Sequence, residues 1–488
     1  MPRRVKKQAF LIIDLEATQT RAYLLDMKGQ LCRESTVVLG TEPGPKSWRQ
    51  YDPFQLLYSC RSAIHGLFQT KAWQVSHVVG IGILGRGYAS LAWEPKTGRV
   101  LCPAIMKQPG QFKLRQRQLK SAQLDQHIYQ VSGVAFSDQM DALLWSWMSQ
   151  EVEEVSVAKK QGRCCFGTVE SWILYNLSGT EASALDMSLA QQTGLFNMEK
   201  GAWDSLLLAE FGLSAQCLPG IYQGENSPST TRRFVSLPDG IPIVVLSHVD
   251  QAKAVGNRLF HLGDAMLTVA SNQSRLFVQS GSGFLCQEPL SRVPFSVFQD
   301  PSYLVMGDQR LPKWPSFLSK GTLFDQSDLL ASVSFDMVAK VVFRAQKDKN
   351  VFGDIKMDLI GISDQTQIEE IAQSYLETLV YLMKQLVVNI EKEMGVLLKG
   401  LVVEGPFLEV KVVMQFLADI LQFPLISYDQ FSSEILGMAA MMAQRVGVVS
   451  DVSEYLRYVK VREQVLPVMD PISSFARFHQ WESQAWVT

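Results

Sequence analysis

The order of predicted secondary-structure elements repeats once along this chain, and this repeat constrains its fold most strongly. Near the N terminus, apolar runs at residues 10–14 and 20–25 predict two strands. A helix is expected to follow, because Asp52 can cap it and Pro53 suits its first position. A buried strand at residues 77–83 completes the first series.

A similar series returns in the second half of the chain. The predicted elements there are strands at residues 241–246, 265–269 and 401–403 and helices at residues 368–393 and 414–421. The sequence therefore favours an α/β protein with two domains, residues 1–245 and residues 246–488. No motif assigns residues 312–353.

The composition is that of an ordinary globular protein. At 488 residues the chain is too long for a single hydrophobic core. Hydrophobic residues make up 47% and charged residues 19% of it, and the formal net charge is -2. We therefore expect no nucleic acid as a partner, since no strong positive charge would attract it. We also expect no membrane insertion, because no apolar run approaches the ~20 residues that cross a bilayer.

The cysteines, histidines and N-terminal residues favour a cytoplasmic protein. The 7 cysteines and 6 histidines show no metal-ligand spacing, so a zinc site is not expected. An odd number of cysteines favours reduced thiols, and the adjacent Cys164 and Cys165 are interpreted as packing residues. The basic residues 2–7 precede only four strongly apolar residues before Asp14, which is too short for a signal-peptide core.

Several short motifs occur in the order and spacing of one enzyme family. Residues 47–53 read S-W-R-Q-Y-D-P, residues 93–98 W-E-P-K-T-G, residues 166–174 F-G-T-V-E-S-W-I-L and residues 193–197 T-G-L-F-N, with W-D at 203–204. Later, residues 414–420 read M-Q-F-L-A-D-I and residues 434–440 read E-I-L-G-M-A-A. Together these motifs resemble those of the FGGY carbohydrate kinases, most closely the glycerol kinase branch and its divergent glycerol-kinase-like members. The V-P-A-F-x-G-L motif of that family is absent.

The resemblance implies both a fold and a reaction. The fold is the actin-like ATPase fold, in which two RNase H-like domains hold ATP and substrate in a central cleft. The reaction transfers the γ-phosphoryl group of Mg-ATP to a hydroxyl group of a polyol or sugar. Such chemistry needs a base near that hydroxyl, a metal ion held by carboxylates, and backbone donors around the phosphates.

The resemblance also assigns residues to ATP and magnesium. Asp14 matches the first-strand aspartate that lies near Mg and the γ-phosphate, and Thr18 keeps one hydroxyl of the following turn. In that turn Glu16 replaces a glycine, which brings a negative charge toward the phosphates. Ser271 keeps the hydroxyl of the second phosphate loop, and Gly405 keeps a glycine of the adenine-side motif.

The residues that would hold the substrate are changed. Counted back without a gap from the W-E-P-K-T-G motif, the family's arginine and glutamate fall on Gly87 and Tyr88. Arg86 lies one residue before them. We predict Arg86 and Tyr88 as substrate residues, together with Phe136 on a second wall and Gln251 beside the catalytic position.

The position of the catalytic aspartate is the most informative departure. Counted without a gap from either side, that position is Val249, whose side chain cannot accept a proton. A one-residue shift would make Asp250 the base, although on a strand such a shift turns the side chain to the opposite face. Asp250 is therefore the candidate base.

Two functions follow from these residues. The first is a diverged glycerol-kinase-like protein whose phosphoryl transfer is weakened or lost, a pseudokinase that binds a metabolite or a protein partner. The alternative is an active carbohydrate kinase that uses Asp250 as a shifted base on a substrate other than glycerol. A structural module without a ligand, able to form homo-oligomers, is a third interpretation. The sequence does not identify a substrate, because the residues that would report it are those that changed.

Overall fold

The computed structural model describes most of the chain. The described residues are 7–70, 72–179, 183–222, 229–234, 237–270, 273–281, 290–295, 302–311, 333–335, 342–345, 357–405 and 410–485. Ser271 lies outside them, as do most of residues 312–353.

The chain packs into two compact units. The first contains Met1–Arg258, Arg292–Tyr303 and Phe431–Tyr458, and the second contains Leu259–Ser291, Leu304–Gln430 and Val459–Thr488. Each unit combines β-strands with helices, which confirms the predicted α/β class. The units are defined by spatial packing, and the sequence-based division into residues 1–245 and 246–488 stays a prediction.

The described elements have the following bounds. The strands are Ala9–Leu15, Gln19–Asp26, Leu31–Val38, Glu42–Pro43, Arg49–Tyr51, Val78–Gly85, Ala89–Trp93, Val100–Met106, Cys165–Thr168, Ala184–Asp186, Phe196–Asn197, Ala202–Trp203, Gly220–Tyr222, Ser229–Thr230, Pro242–His248, Ala265–Val269, Gln273–Ser280, Ser291–Pro294, Tyr303–Arg310, Val342–Ala345, Met357–Ile360, Leu401–Glu404, Leu425–Asp429 and Lys460–Val465. The α-helices are Pro53–Leu67, Lys113–Leu119, Ala122–Ser132, Asp141–Glu151, Glu153–Lys160, Val169–Leu177, Met187–Gln192, Ser205–Glu210, Val249–Gly256, Ile368–Met394, Lys411–Leu421, Ser433–Arg445, Val452–Leu456 and Pro471–Ala485.

The main sheet of the first unit is built around the strand Ala9–Leu15, which is buried along its whole length. The strand order is Ser229–Thr230, Pro242–His248, Val78–Gly85, Ala9–Leu15, Gln19–Asp26 and Leu31–Val38. The central strand is apolar except for Asp14, as expected of a strand that is buried on both faces. Its register pairs Asp14 with Leu84 on one side and with Arg21 on the other. The carboxylate therefore lies level with the C-terminal end of Val78–Gly85.

Aromatic residues of the sequence motifs form a core beside a second sheet of the first unit. The strand order in that sheet is Glu42–Pro43, Arg49–Tyr51, Val100–Met106, Ala89–Trp93 and Cys165–Thr168. Trp93 packs edge-on against Trp172, with ring centroids 5.4 Å apart. The indole of Trp172 donates a hydrogen bond to the carbonyl of Pro53 at 3.1 Å. Pro53 opens the helix that Asp52 caps by accepting a backbone N–H at 2.9 Å, as predicted.

Two helices of the first unit cross at a pair of glycines. A Cβ atom at Gly256 in Val249–Gly256 would lie 2.0 Å from a backbone carbonyl oxygen of Ser433–Arg445. A Cβ atom at Gly437 would lie 1.9 Å from a carbonyl oxygen of the other helix. Neither position has room for a side chain, because real Cβ atoms do not approach backbone this closely. The register of Val249–Gly256 is therefore fixed by backbone contact.

The second unit contains four predicted elements, the strands near residues 265–269 and 401–403 and the helices near residues 368–393 and 414–421. Neighbouring strands lie in the order Tyr303–Arg310, Gln273–Ser280, Ala265–Val269, Leu401–Glu404, Leu425–Asp429 and Lys460–Val465. The predicted long helix is Ile368–Met394, which begins with a capping box between Gln367 and Glu370. It ends at Gly395, whose φ of 64° is in the left-handed region that favours glycine.

The described residues also bear on the expected cysteine chemistry and membrane behaviour. Cys164 and Cys165 are buried free thiols, in agreement with their interpretation as packing residues. Burial raises the pKa of Cys165 to about 12, so this thiol is not activated as a nucleophile. Across the part of the chain that is described, every helix is too short or too polar to span a bilayer.

The glycine pair gives a test of helix packing. Substituting Gly437→Ala should destabilise the first unit by about 2 kcal/mol, because the added methyl group must push two backbones apart. Urea unfolding followed by tryptophan fluorescence measures this loss. Gly40→Ala is the matched control, since a Cβ atom there meets no neighbour within 4 Å. Equal midpoints for the two variants would contradict the packing described here.

Candidate active site

One arginine faces three carboxylates in the first unit. The Nη2 atom of Arg86 lies 3.2 Å from Oδ1 and 3.1 Å from Oδ2 of Asp14. It also lies 3.9 Å from Oε1 of Glu16 and 3.9 Å from Oε1 of Glu434. We refer to these four residues as the Arg86 cluster. Arg86 and Asp14, two of the predicted site residues, are thus brought together. Glu434 joins them from the motif at residues 434–440, to which the sequence assigned no site role.

A buried glutamate fixes the position of Arg86. Oε1 of Glu170 accepts the backbone N–H of Arg86 at 2.9 Å and that of Gly87 at 3.0 Å. Glu170 is fully buried in the first turn of Val169–Leu177. A Cβ atom at Gly85 would lie 2.4 Å from Cγ of Glu170, so the glycine makes room for this carboxylate. Sequence reasoning missed this role; the available signal was a charged residue inside an apolar helical motif.

Burial and charge set the protonation of the cluster. Burial raises the pKa of Asp14 from 3.8 to about 6, and the positive charge of Arg86 offsets only part of this effect. Burial also acts to raise the pKa of Glu434, but the positive charges of Lys253 and Arg86 hold it below its usual value. At neutral pH both groups are therefore mainly ionised, and Asp14 is the one that titrates closest to neutrality.

The turn after the first strand is fixed by its own side chains. Oε2 of Glu16 accepts a hydrogen bond from Gln19 Nε2 at 2.8 Å, and Oε1 lies 3.5 Å from Nε of Arg21. The hydroxyl of Tyr51 donates to the carbonyl of Ala17 at 2.6 Å. The negative charge that the sequence predicted to face phosphates is therefore engaged by neighbouring arginines and glutamine. The predicted nucleotide residue Thr18 is exposed beside it.

A second buried ion pair lies close to the changed substrate positions. Nζ of Lys107 lies 2.9 Å from Oδ2 of Asp141, and Ser90 donates a hydrogen bond to the other carboxylate oxygen. A Cβ atom at Gly87 would lie 3.8 Å from the Lys107 ammonium. The ammonium therefore lies next to the space that a side chain at position 87 would occupy. Sequence reasoning missed this pair, because its members are distant along the chain and belong to no local pattern.

The predicted substrate residues differ in their surroundings. The ring of Tyr88 packs edge-on against Tyr51, with centroids 5.5 Å apart. The Tyr88 hydroxyl is buried and has no hydrogen-bond partner within the described residues. Phe136 packs against Phe211 in the core, with ring centroids 6.1 Å apart. Gln251 is buried, and its Oε1 accepts a hydrogen bond from Ser247 at 2.8 Å. Substrate binding by Tyr88, Phe136 and Gln251 stays a prediction.

The candidate base lies at the start of a regular helix. Val249 is the first residue of Val249–Gly256 and Asp250 the second, and both side chains are buried. Successive helical residues are rotated by about 100°, so these two side chains point in different directions. His248 caps the helix by accepting the backbone N–H of Asp250 at its Nδ1, over 3.3 Å. Oδ2 of Asp250 lies 3.5 Å from the same nitrogen. The role of Asp250 as base stays a prediction.

In the second unit, one predicted nucleotide residue is described. Gly405 follows the strand Leu401–Glu404, which pairs in parallel with Ala265–Val269. Its φ is 109°, and a Cβ atom there would lie 2.1 Å from the carbonyl oxygen of Val269. Only glycine fits this position, because both the backbone conformation and the close contact exclude a side chain. Binding of ATP at Gly405 stays a prediction.

The Arg86 cluster does not fit a magnesium site. Both carboxylate oxygens of Asp14 face the guanidinium of Arg86, whereas Mg²⁺ needs such oxygens at about 2.1 Å with octahedral geometry. Throughout the described ranges, no group of three or more histidine, cysteine, aspartate or glutamate residues has a geometry that could hold a metal ion. The predicted role of Asp14 as a metal ligand stays a prediction that this arrangement does not support.

The chain is similar to known proteins of one family over most of its length. Residues 9–256 match the N-terminal domain of the FGGY family of carbohydrate kinases, and residues 328–445 match its C-terminal domain. The protein therefore belongs to the FGGY family of carbohydrate kinases. Members of this family use ATP, generally with Mg²⁺.

Within that family the chain is glycerol-kinase-like. It is 23% identical over 501 residues to the glycerol kinase of Xanthomonas axonopodis pv. citri, covering 99% of each chain. Glycerol kinase 1 of Thermotoga maritima is 22% identical over 480 residues, covering 94% of this chain and 95% of that one. Among solved structures, the Plasmodium falciparum glycerol kinase with ADP superposes with a TM-score of 0.88 at 18% identity, covering 99% of each chain. The Rhodospirillum rubrum xylulose kinase gives 0.81 at 17% identity, covering 98% of each. The expected actin-like ATPase fold is confirmed.

The shifted pKa of Asp14 predicts a pH dependence of stability. The folded pKa of about 6 exceeds the ordinary value of 3.8, so the stabilisation from this group is full below pH 3.8 and is lost as the pH rises through 6. Asp14→Asn removes this contribution. When the pH is lowered from 7.5 to 5, the free energy of unfolding of the wild type should therefore increase by about 1 kcal/mol more than that of Asp14→Asn. Urea unfolding at the two pH values measures it, and an unchanged difference would contradict the assignment.

Proposed function

We propose that this protein is a diverged, glycerol-kinase-like FGGY protein in which phosphoryl transfer is weakened or lost. The observation that carries this proposal is the engagement of Asp14 by Arg86, at 3.1 and 3.2 Å. A carboxylate that would help to hold the metal of a kinase instead pairs with a fixed organic cation. The retained fold then serves to bind a metabolite or a protein partner.

The start of the helix Val249–Gly256 supports the same proposal. When the chain is aligned with the family without a gap, the position of the base is Val249. The glycine contacts fix the helix that begins there, so the helix cannot slide by one residue to bring Asp250 into that position. Loss of a positioned general base costs roughly 10²–10⁴ in rate. Glu16 adds to the effect, because its carboxylate stands where the family has a glycine that lets the backbone approach phosphates.

The remaining predictions on cofactor and location form part of the proposal. We infer weak binding of ATP, with Mg²⁺ bound through the nucleotide rather than through Asp14. The glycine at position 405, which has room for no side chain, supports a retained backbone seat for a nucleotide. A cytoplasmic location is supported by buried free thiols at Cys164 and Cys165, since such thiols persist in reducing compartments.

The alternative is an active carbohydrate kinase with Asp250 as base and a substrate other than glycerol. It is favoured by the burial of Asp250 beside His248, which would place a carboxylate in a water-poor environment. The resemblance places the substrate-binding arginine of the family at Gly87, which has no side chain. The Lys107 ammonium beside Gly87 would supply a cation for such a substrate in its place.

Direct assay distinguishes the two functions. ATP-dependent phosphorylation of glycerol by the full chain should be at least about 100-fold slower than that by Thermotoga maritima glycerol kinase assayed in parallel, because the base is missing. Any residual rate should be unchanged in Asp250→Asn. Phosphate transfer from radiolabelled ATP measures both rates, with a panel of polyols and sugars in place of glycerol as a second arm. Robust transfer that Asp250→Asn abolishes would establish the alternative.

A further inference from the structure

The charges of the Arg86 cluster are arranged around a single cation. Side chains of Asp14, Glu16 and Glu434 converge on Nη2 of Arg86 at distances of 3.1, 3.9 and 3.9 Å. The cluster is partly shielded from water, with the Asp14 side chain 3% exposed and the Arg86 side chain 28% exposed. Three carboxylates this close together repel one another, and a positive charge between them offsets this repulsion.

The position of that positive charge is built into the backbone. Glu170 accepts the N–H groups of both Arg86 and Gly87, and Gly87 has a φ of 58°, which a residue with a side chain rarely adopts. The turn therefore aims the Arg86 side chain at Asp14 from the neighbouring strand. Nε of Arg86 is buried without a hydrogen-bond partner in the described residues, so the guanidinium is held by its Nη2 contacts rather than by a wider network.

The family uses ATP, generally with Mg²⁺, and this arrangement disagrees with a metal at the same carboxylates. We infer that the guanidinium of Arg86 takes the place of a divalent metal ion between Asp14, Glu16 and Glu434. A guanidinium carries one permanent charge, cannot dissociate from the chain as a metal ion can, and donates its hydrogen bonds in a fixed plane. The site would then hold a permanent cation in the absence of both metal and nucleotide. This inference deepens the proposed function but is tested without measuring catalysis.

Removal of the arginine should convert the cluster into a metal-dependent one. In Arg86→Gln the three carboxylates lose their shared cation, and their repulsion should lower the melting temperature in EDTA by about 5 °C. Addition of 10 mM MgCl₂ should then restore at least about 2 °C, because a cation that binds only the folded state stabilises it. The wild type, whose cation is already in place, should shift by less than about 1 °C under the same conditions.

Two matched variants separate this effect from a general loss of stability. Arg21→Gln removes an arginine whose guanidinium pairs with Glu16, and the melting temperature of this variant should not change on addition of MgCl₂. Arg86→Lys keeps the positive charge and should also show no response. If Arg86→Gln does not fold, the MgCl₂ response of the wild type, compared with that of Asp14→Asn, still tests the inference. Electron paramagnetic resonance of Mn²⁺ gives a second readout. Arg86→Gln should bind Mn²⁺ at least about 10-fold more tightly than the wild type, since without the guanidinium the carboxylates can close around a metal that their present spacing does not hold.

The results that would overturn the inference are specific. One is a wild-type protein that MgCl₂ alone stabilises by several degrees, with the effect lost in Asp14→Asn, because the metal would then bind beside Arg86. Another is a folded Arg86→Gln variant without any metal response. Robust phosphorylation by the wild type would overturn the proposed function, while the inference on Arg86 would still stand or fall on the melting and Mn²⁺ measurements.

Discussion

The hydrogen bonds from the Arg86 and Gly87 backbones to Glu170 are the interaction on which the rest of the candidate site depends. A fully buried carboxylate needs partners, and two backbone N–H groups satisfy one of its oxygens at 2.9 and 3.0 Å. The turn that they hold sends Arg86 toward Asp14, where its guanidinium offsets part of the negative charge of its acidic neighbours. Electrostatics at this end of the central sheet are thus set by a helix residue whose carboxylate binds the backbone of Arg86 and Gly87.

The fold was predictable from the sequence because its signals are local. Capping by Asp52, the apolar first strand and the long helix Ile368–Met394 each depend on a short stretch of chain. The candidate site was only partly predictable. Arg86 and Asp14 were both identified, but as residues for different ligands, and their direct contact joins positions 72 residues apart. Pairing of Lys107 with Asp141 is likewise a contact of tertiary structure that no spacing indicates.

Among the described residues, the departures at Glu16, Gly87 and Val249 lie just after a strand or at a helix start. The aromatic core of Trp93 and Trp172 keeps its packing, and the glycine contacts between the two crossed helices leave no tolerance for change. Substitutions that change the side-chain volume at interior positions of this kind cost several kcal/mol of stability. Substitutions in a turn, such as that at Glu16, cost little. A protein of this family can therefore lose parts of its chemistry while its fold remains that of a kinase.

The crossing of Val249–Gly256 with Ser433–Arg445 has a mechanical consequence. The first helix carries Asp250 and the second carries Glu434, and at Gly256 and Gly437 their backbones touch with no side chain between them. Such a contact leaves no room for the two backbones to come closer, so the crossing fixes the separation of the two helices at this point. One backbone contact therefore sets the placement of Asp250 relative to Glu434, although the two residues belong to segments almost two hundred residues apart.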